Sequence, residues 1–252
     1  MIKLFSKIRM QLISENKFRN YLVYAIGEIV LVVIGILIAI QINSFNESKK
    51  TDEKRENLKE RLGEQINLNQ FQVKESIQDL ENQIEGIKSV MNLMGDSGSL
   101  IESSSVNSLM TFVIEDHHLG LDMTTLQEAL QNGELSVLKN NNLRTSLYSL
   151  LKYNERLEQR EEIANYDNNN FNIPFLYKNV NSRNISANTN MEYKTEIGYS
   201  KLESNDFKSL FGNREFENLV ESRFYYAKEM MTNYRRMEKF LDYLDGILEN
   251  KK

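Results

Sequence analysis

"LGEQINLNQFQVKESIQDLENQIEGIKSVMNLM", residues 62–94, decides the fold. Leu62, Ile66, Asn69, Val73, Ile77, Leu80, Ile84, Ile87, Met91 and Met94 follow one another at intervals of three or four residues. A helix of 3.6 residues per turn brings such positions onto one face. From Val73 onward the steps alternate four and three, a heptad pattern, with charged and amide residues filling the other faces. One amphipathic helix of a bundle and an oligomeric coiled-coil stalk both satisfy the pattern. The bundle is the expected solution, because later helices need a partner surface too.

Upstream, residues 43–61 read as the start of the same long helix. Before them stands "YLVYAIGEIVLVVIGILIAIQIN", residues 21–43, almost unbroken hydrocarbon around one carboxylate, Glu28. Residues 21–42 as a helix measure about 33 Å, enough to cross a hydrocarbon core of about 30 Å. A cleaved signal peptide has a shorter apolar run and a small-x-small cleavage site. Here the run leaves through Gln41, Ile42, Asn43, Ser44 and Phe45, which points to an uncleaved anchor. Residues 1–20 form a basic tail carrying +4, with Ile2, Phe5, Ile8 and Leu12 at helical spacing. That suits a helix lying on an anionic leaflet, or an unstructured retention signal.

Lys and Arg number five before the span and six in residues 43–62, so the positive-inside count does not choose an orientation. The nearly unmixed sign of the short tail favours a cytoplasmic N-terminus, with the following domain in the periplasm. The sequence beyond the span carries −8. An acidic domain without a basic, aromatic-rich stripe excludes nucleic acid as the expected partner.

These residues carry a resemblance. "YAIGEIVLVVIGILIAIQINSFNE", preceded by "SENKFRNYL", resembles the N-terminal signature of a family of small membrane proteins of unknown function common in Bacteroidota. Its members usually read leucine where Ile40 stands and tryptophan where Phe45 stands. A second similarity lies at "LQEALQNGELSVLKNNNLRTSL", residues 126–147. The resemblance implies a bacterial membrane location and supplies no activity and no catalytic residues.

On a helical wheel Glu28, Val32, Gly35 and Ala39 share a face, with Ile42 continuing it. Gly35-x-x-x-Ala39 is a small-x-x-x-small step that lets another backbone approach. A carboxylate inside the bilayer is costly. Glu28 is therefore a fastener to another helix, a residue solvated near the membrane edge, or a proton carrier.

Beyond residue 94, "GDSGS" at 95–99 breaks the chain. Helices are expected over 105–115, 124–132, 143–166 and 215–250, with a short one opening at Ser204 or Asn205. Gly133 reads as a helix stop. Residues 167–203, with the lone Pro174 and many asparagines, read as an irregular insertion. The expected organisation is a tail (1–20), a transmembrane helix (21–42), a long helix or stalk (43–94) and a helical bundle (95–252). The fold class is all-α, with the bundle elongated.

Little of this looks like chemistry. The chain has no cysteine, which excludes disulfides, thiolate metal sites and a cysteine nucleophile. No P-loop, G-x-G-x-x-G or G-x-S-x-G occurs, and no cofactor is implied. "EDHHLGLD", residues 115–122, holds both histidines. Asp116, His117, His118 and Asp122 are the metal candidates, but the spacing fits no closed set, and a solvated loop is the expected reading. Glu161 and Glu162 beside Arg160 read as a charged outer face. "RFYYAKEMMTNY", residues 223–234, reads as core. The expected function is a non-catalytic, membrane-anchored interaction or scaffold protein that associates with itself or with another membrane protein. A subunit of an ion-coupled complex using Glu28 and a ligand-sensing periplasmic bundle are the alternatives.

Overall fold

The computed structural model describes residues 18–95, 103–186, 198–202 and 204–249. The tail of residues 1–17, most of the turn at 95–99 and the polar run at 187–197 lie outside the described residues. The chain is all-α, and no strand occurs among the described residues. Its elements are α1 (Phe18–Leu93), α2 (Ser103–Ile114), α3 (Thr124–Gln131), a 3-10 turn (Glu134–Val137) and α4 (Asn141–Asp167). A π turn (Asn168–Asn172), α5 (Ile173–Asn179), α6 (Ser182–Ser186), α7 (Phe207–Phe211) and α8 (Arg214–Glu249) follow. The chain divides into two compact units, Met1–Asn57 and Leu58–Lys252.

In the first unit, α1 contains a window with mean hydropathy 2.7 and no residue buried. It is the one helix among the described residues long and apolar enough to cross a membrane.

The second unit is a helical bundle. Its α1 portion buries Leu58, Leu62, Ile66, Val73, Leu80, Ile84, Ile87 and Val90, so the heptad face packs within the chain's own core. From α8 the core takes Phe216, Val220, Ala227, Met230, Tyr234, Met237, Leu241 and Leu244, and from α4 it takes Leu143, Leu147, Leu150 and Leu157. Phe207, Phe211, Phe216 and Phe175 form a run of stacked rings 5.9–6.2 Å apart, tying α7 and α5 to the start of α8.

Two glycines of α1 make opposite predictions. A Cβ at Gly86 would lie 2.0 Å from Cδ2 and 2.8 Å from Cβ of Phe112, so α2 would have to shift. At Gly63 a Cβ meets nothing within 4 Å. Replacing a helical glycine by alanine ordinarily stabilises by about 1 kcal/mol. Gly63→Ala is expected to show that gain. Gly86→Ala is expected to destabilise by about 1–3 kcal/mol through overpacking. Thermal unfolding of the two variants reads the difference, and a stabilised Gly86→Ala protein would refute the close packing of α1 on α2.

The expected irregular insertion over 167–203 is corrected for its described first part, residues 167–186. The chain stays helical past Asp167, through the π turn and into α5, and resumes as α6. Polarity misleads here because Asn168 and Asn172 point inward: they are 1 % and 0 % exposed. Pro174 stands in the first turn of α5, directly after the π turn. The short helix expected at 204 or 205 begins at Phe207, capped by Asp206, whose Oδ1 accepts from the Ser209 N–H at 3.0 Å. Gly133 takes the left-handed conformation (φ +70°) expected of a helix stop.

Candidate functional site

In the first unit, Glu28 and Ala25 are half-buried, and Val32, Gly35 and Ala39 are exposed. A Cβ at Gly27 or Gly35 would meet no atom within 4 Å. The Val32, Gly35 and Ala39 part of the wheel face is exposed.

In the second unit, the informative feature is a segment without secondary structure, residues 115–123, hereafter the strap. Its burial alternates: His117, Leu119, Leu121 and Met123 are inside, whereas Asp116, His118, Gly120 and Asp122 are outside. That is the two-residue period of an extended chain, interrupted in backbone conformation at Gly120, whose φ of +61° is left-handed. A buried extended segment needs partners for its backbone N–H and C=O groups, and no neighbouring strand supplies them here.

Side-chain amides supply them instead. Asn165 of α4 takes both groups of one residue: its Oδ1 accepts from the His117 N–H at 2.9 Å, and its Nδ2 donates to the His117 carbonyl at 2.7 Å. Asn69 of α1 does the same for Asp122, at 2.9 and 2.7 Å. One carboxamide can do this because an extended residue points its N–H and C=O to the same side. Gln72 donates to the carbonyls of Leu119 and Gly120 at 2.7 and 2.9 Å. Gln83 donates to those of Phe112 and Glu115 at 3.2 and 3.0 Å. Gln65 accepts from the Leu126 N–H at 3.0 Å. At the π turn, Asn168 donates to the Ile114 carbonyl and the Asp116 carboxylate, and Asn172 donates to the Val113 carbonyl.

Two charged residues complete the seat. Arg223 of α8 is fully buried; its Nη1 donates to the Ala164 carbonyl at 3.1 Å and its Nη2 to the Glu115 carbonyl. Glu161 of α4 accepts at Oε1 from the Leu119 N–H at 3.0 Å and the Tyr234 hydroxyl at 2.7 Å. Burial pushes the Glu161 carboxyl up from the ordinary carboxylate value, against those two donors. Burial, reinforced by the Arg223 guanidinium, holds the His117 imidazole down at about 3. The Tyr234 hydroxyl is raised by burial and by Glu161.

This arrangement corrects two expectations. Residues 115–122 are not a solvated loop, since alternate residues enter the core. Glu161 is 3 % exposed and does not belong to an outer charged face; Glu162, about 100° further round the helix, does. The histidine cluster also comes apart. Asp116 is held by Asn168 and Asn169, and His117 points inward. His118 points outward, with Nδ1 3.8 Å from Glu161 Oε2. Among the described residues, no three His, Asp or Glu side chains could hold a metal ion. The segment at 126–147 forms α3, the 3-10 turn and the start of α4 around a hollow of about 590 Å³ between Leu130 and Tyr148.

Fold and geometry define a class: an all-α protein joining one membrane-length apolar helix to a helical bundle with a buried polar seam. No family model, no curated protein and no solved structure matches the chain.

Proposed function

We propose that this is a single-span bacterial inner-membrane protein of the Bacteroidota type described above. Its N-terminus is cytoplasmic and its bundle periplasmic, and it acts without catalysis by binding other proteins. The observation that carries the reading is an apolar helix of membrane-spanning length with no buried residue in its most apolar window, on which Glu28 shares a face with the small residues Gly35 and Ala39. Lipid suits the apolar faces. A carboxyl on the small-residue face suits a second helix, either another copy or another membrane protein.

The test is crosslinking and mass spectrometry of the tagged protein in native membranes. Glu28→Gln, which still forms hydrogen bonds, is expected to keep the specific partner. Glu28→Leu is expected to reduce its recovery about fivefold, the worth of one interhelical hydrogen bond. Unchanged recovery in both variants would sink the fastening role. In the ion-coupled reading, activity of the complex is instead lost in both variants, since neither Gln nor Leu carries a titratable proton.

A further inference from the structure

Neither the buried seam nor the apolar helix accounts for the hollow of about 590 Å³ at the bend between α3 and α4. Residues 130–148 supply its whole lining. Gly133, left-handed at φ +70°, turns the chain at the end of α3, and the 3-10 turn leads it back to α4. Along α4, Asn141, Arg144, Thr145 and Tyr148 recur at helical spacing, so they share a face turned away from the buried Leu143, Leu147 and Leu150. The volume of the hollow lies within the range of about 300–1,000 Å³ usual for small-molecule sites.

The lining is divided in chemistry. Leu130 and Tyr148 remain 40 % and 43 % exposed, and with the buried Leu135 they offer apolar and aromatic surface. Arg144 adds a half-buried guanidinium. The carboxylates of α3 and of the 3-10 turn, Glu128 and Glu134, both turn to Arg61 of α1, at 3.0 and 3.6 Å. Arg144 has a neutral partner instead, donating from Nη2 to the Asn141 carboxamide. A guanidinium is a planar fork whose donors match the two oxygens of a carboxylate. A phosphate group would bring up to about two negative charges to a lining with a single cation. An anion without an apolar body would leave Leu130 and Tyr148 in water, whereas covering them is favourable.

We propose that this hollow is a binding site for a small carboxylate with an apolar or aromatic body, its carboxylate held by Arg144 and its body laid against Leu130 and Tyr148. Such a ligand would bind the bundle whether or not Glu28 fastens a partner, so the site goes beyond the proposed function.

The probe is 4-fluorobenzoate, followed by fluorine NMR as it is titrated onto the full chain in neutral maltoside micelles, with empty micelles as the blank. Saturable binding is expected in the millimolar range of so small a fragment. Arg144→Gln should weaken it about tenfold, the loss of one charge-assisted contact. 4-Fluorobenzamide, similar in shape but uncharged, should bind the parent chain about as weakly as the benzoate binds that variant. Thr145→Trp, which fills the hollow from an exposed position, should abolish binding. Arg160→Gln, on the same helix but outside the lining, should leave it unchanged. Both lining variants should unfold within about 2 °C of the parent chain, so that lost binding is not lost folding. Absence of saturable binding overturns the proposal, even where an acidic peptide then binds. Equal binding by the Arg144→Gln chain or by the benzamide overturns it as well. Binding that survives Thr145→Trp would place the probe elsewhere, and displacement by equimolar inorganic phosphate would mean a site for any anion; either result defeats the assignment.

Discussion

Arg223→Ala is expected to lower the thermal unfolding midpoint of the full chain by about 10 °C. The side chain is fully buried and spans three elements, from α8 to the Glu115 carbonyl on the strap and the Ala164 carbonyl on α4. Asp116, Asp167 and Glu115 lie close enough to favour its charged form against burial. Truncation leaves a cavity, releases two carbonyls and deprives those carboxylates of their counter-charge. Removing one member of such a buried set costs about 3–5 kcal/mol. At about 2–4 °C per kcal/mol for a domain of this size, the shift follows. Arg223→Lys should recover less than half of the loss, because an ammonium cannot hold two carbonyls in the planar fork of a guanidinium. A shift under about 2 °C for Arg223→Ala would mean that the seam is held elsewhere.

The second large effect is acid sensitivity. In the folded state the His117 imidazole takes up a proton only near pH 3, whereas the unfolded chain does so near 6.5. Its contribution is therefore fully present above pH 6.5 and is lost as pH falls from there toward 3. Each pH unit inside that window costs roughly 1.4 kcal/mol. Glu161 works in the opposite direction. Its folded value is raised, so its contribution is present at low pH and lost as pH rises through that value. Unfolding midpoints at pH 7.5 and 5.0 should therefore differ less in His117→Gln than in the parent chain. In Glu161→Gln the opposing contribution is gone, so the fall in stability on acidification should be no smaller than in the parent chain. An unchanged slope in His117→Gln would show that another group governs the acid response.

The contrast between these residues and the apolar core explains what the sequence reveals. Leu62, Ile66, Val73, Leu80, Ile84 and Ile87 follow from their spacing alone, and all are buried. So are Leu147, Leu150 and Leu157 on α4 and Phe216, Ala227 and Leu244 on α8. A hydrophobic residue announces its face because burial is favourable wherever it occurs. Gln65, Gln83, Asn168, Asn172, Glu161 and Arg223 are equally buried, yet they look like surface residues, since polar side chains go inside only where a partner waits. Those partners are backbone groups of the strap and its borders, 29 to 108 residues away along the chain. Helical periodicity does not encode such pairings. The asparagine-rich run at 168–172 misled for the same reason. The one legible hint was the interleaving of Asn69 with the aliphatic positions of α1.

The alternation of buried and exposed residues along the strap carries an evolutionary consequence. Segments without secondary structure usually accept insertions and deletions freely. Here one residue added or removed between His117 and Asp122 would turn every following side chain to the opposite face, as a register slip does in a sheet. Leu121 and Met123 would meet water, and Asp122 would enter the core. Related chains should thus vary in what the outward positions carry, while the number of residues joining α2 to α3 stays fixed.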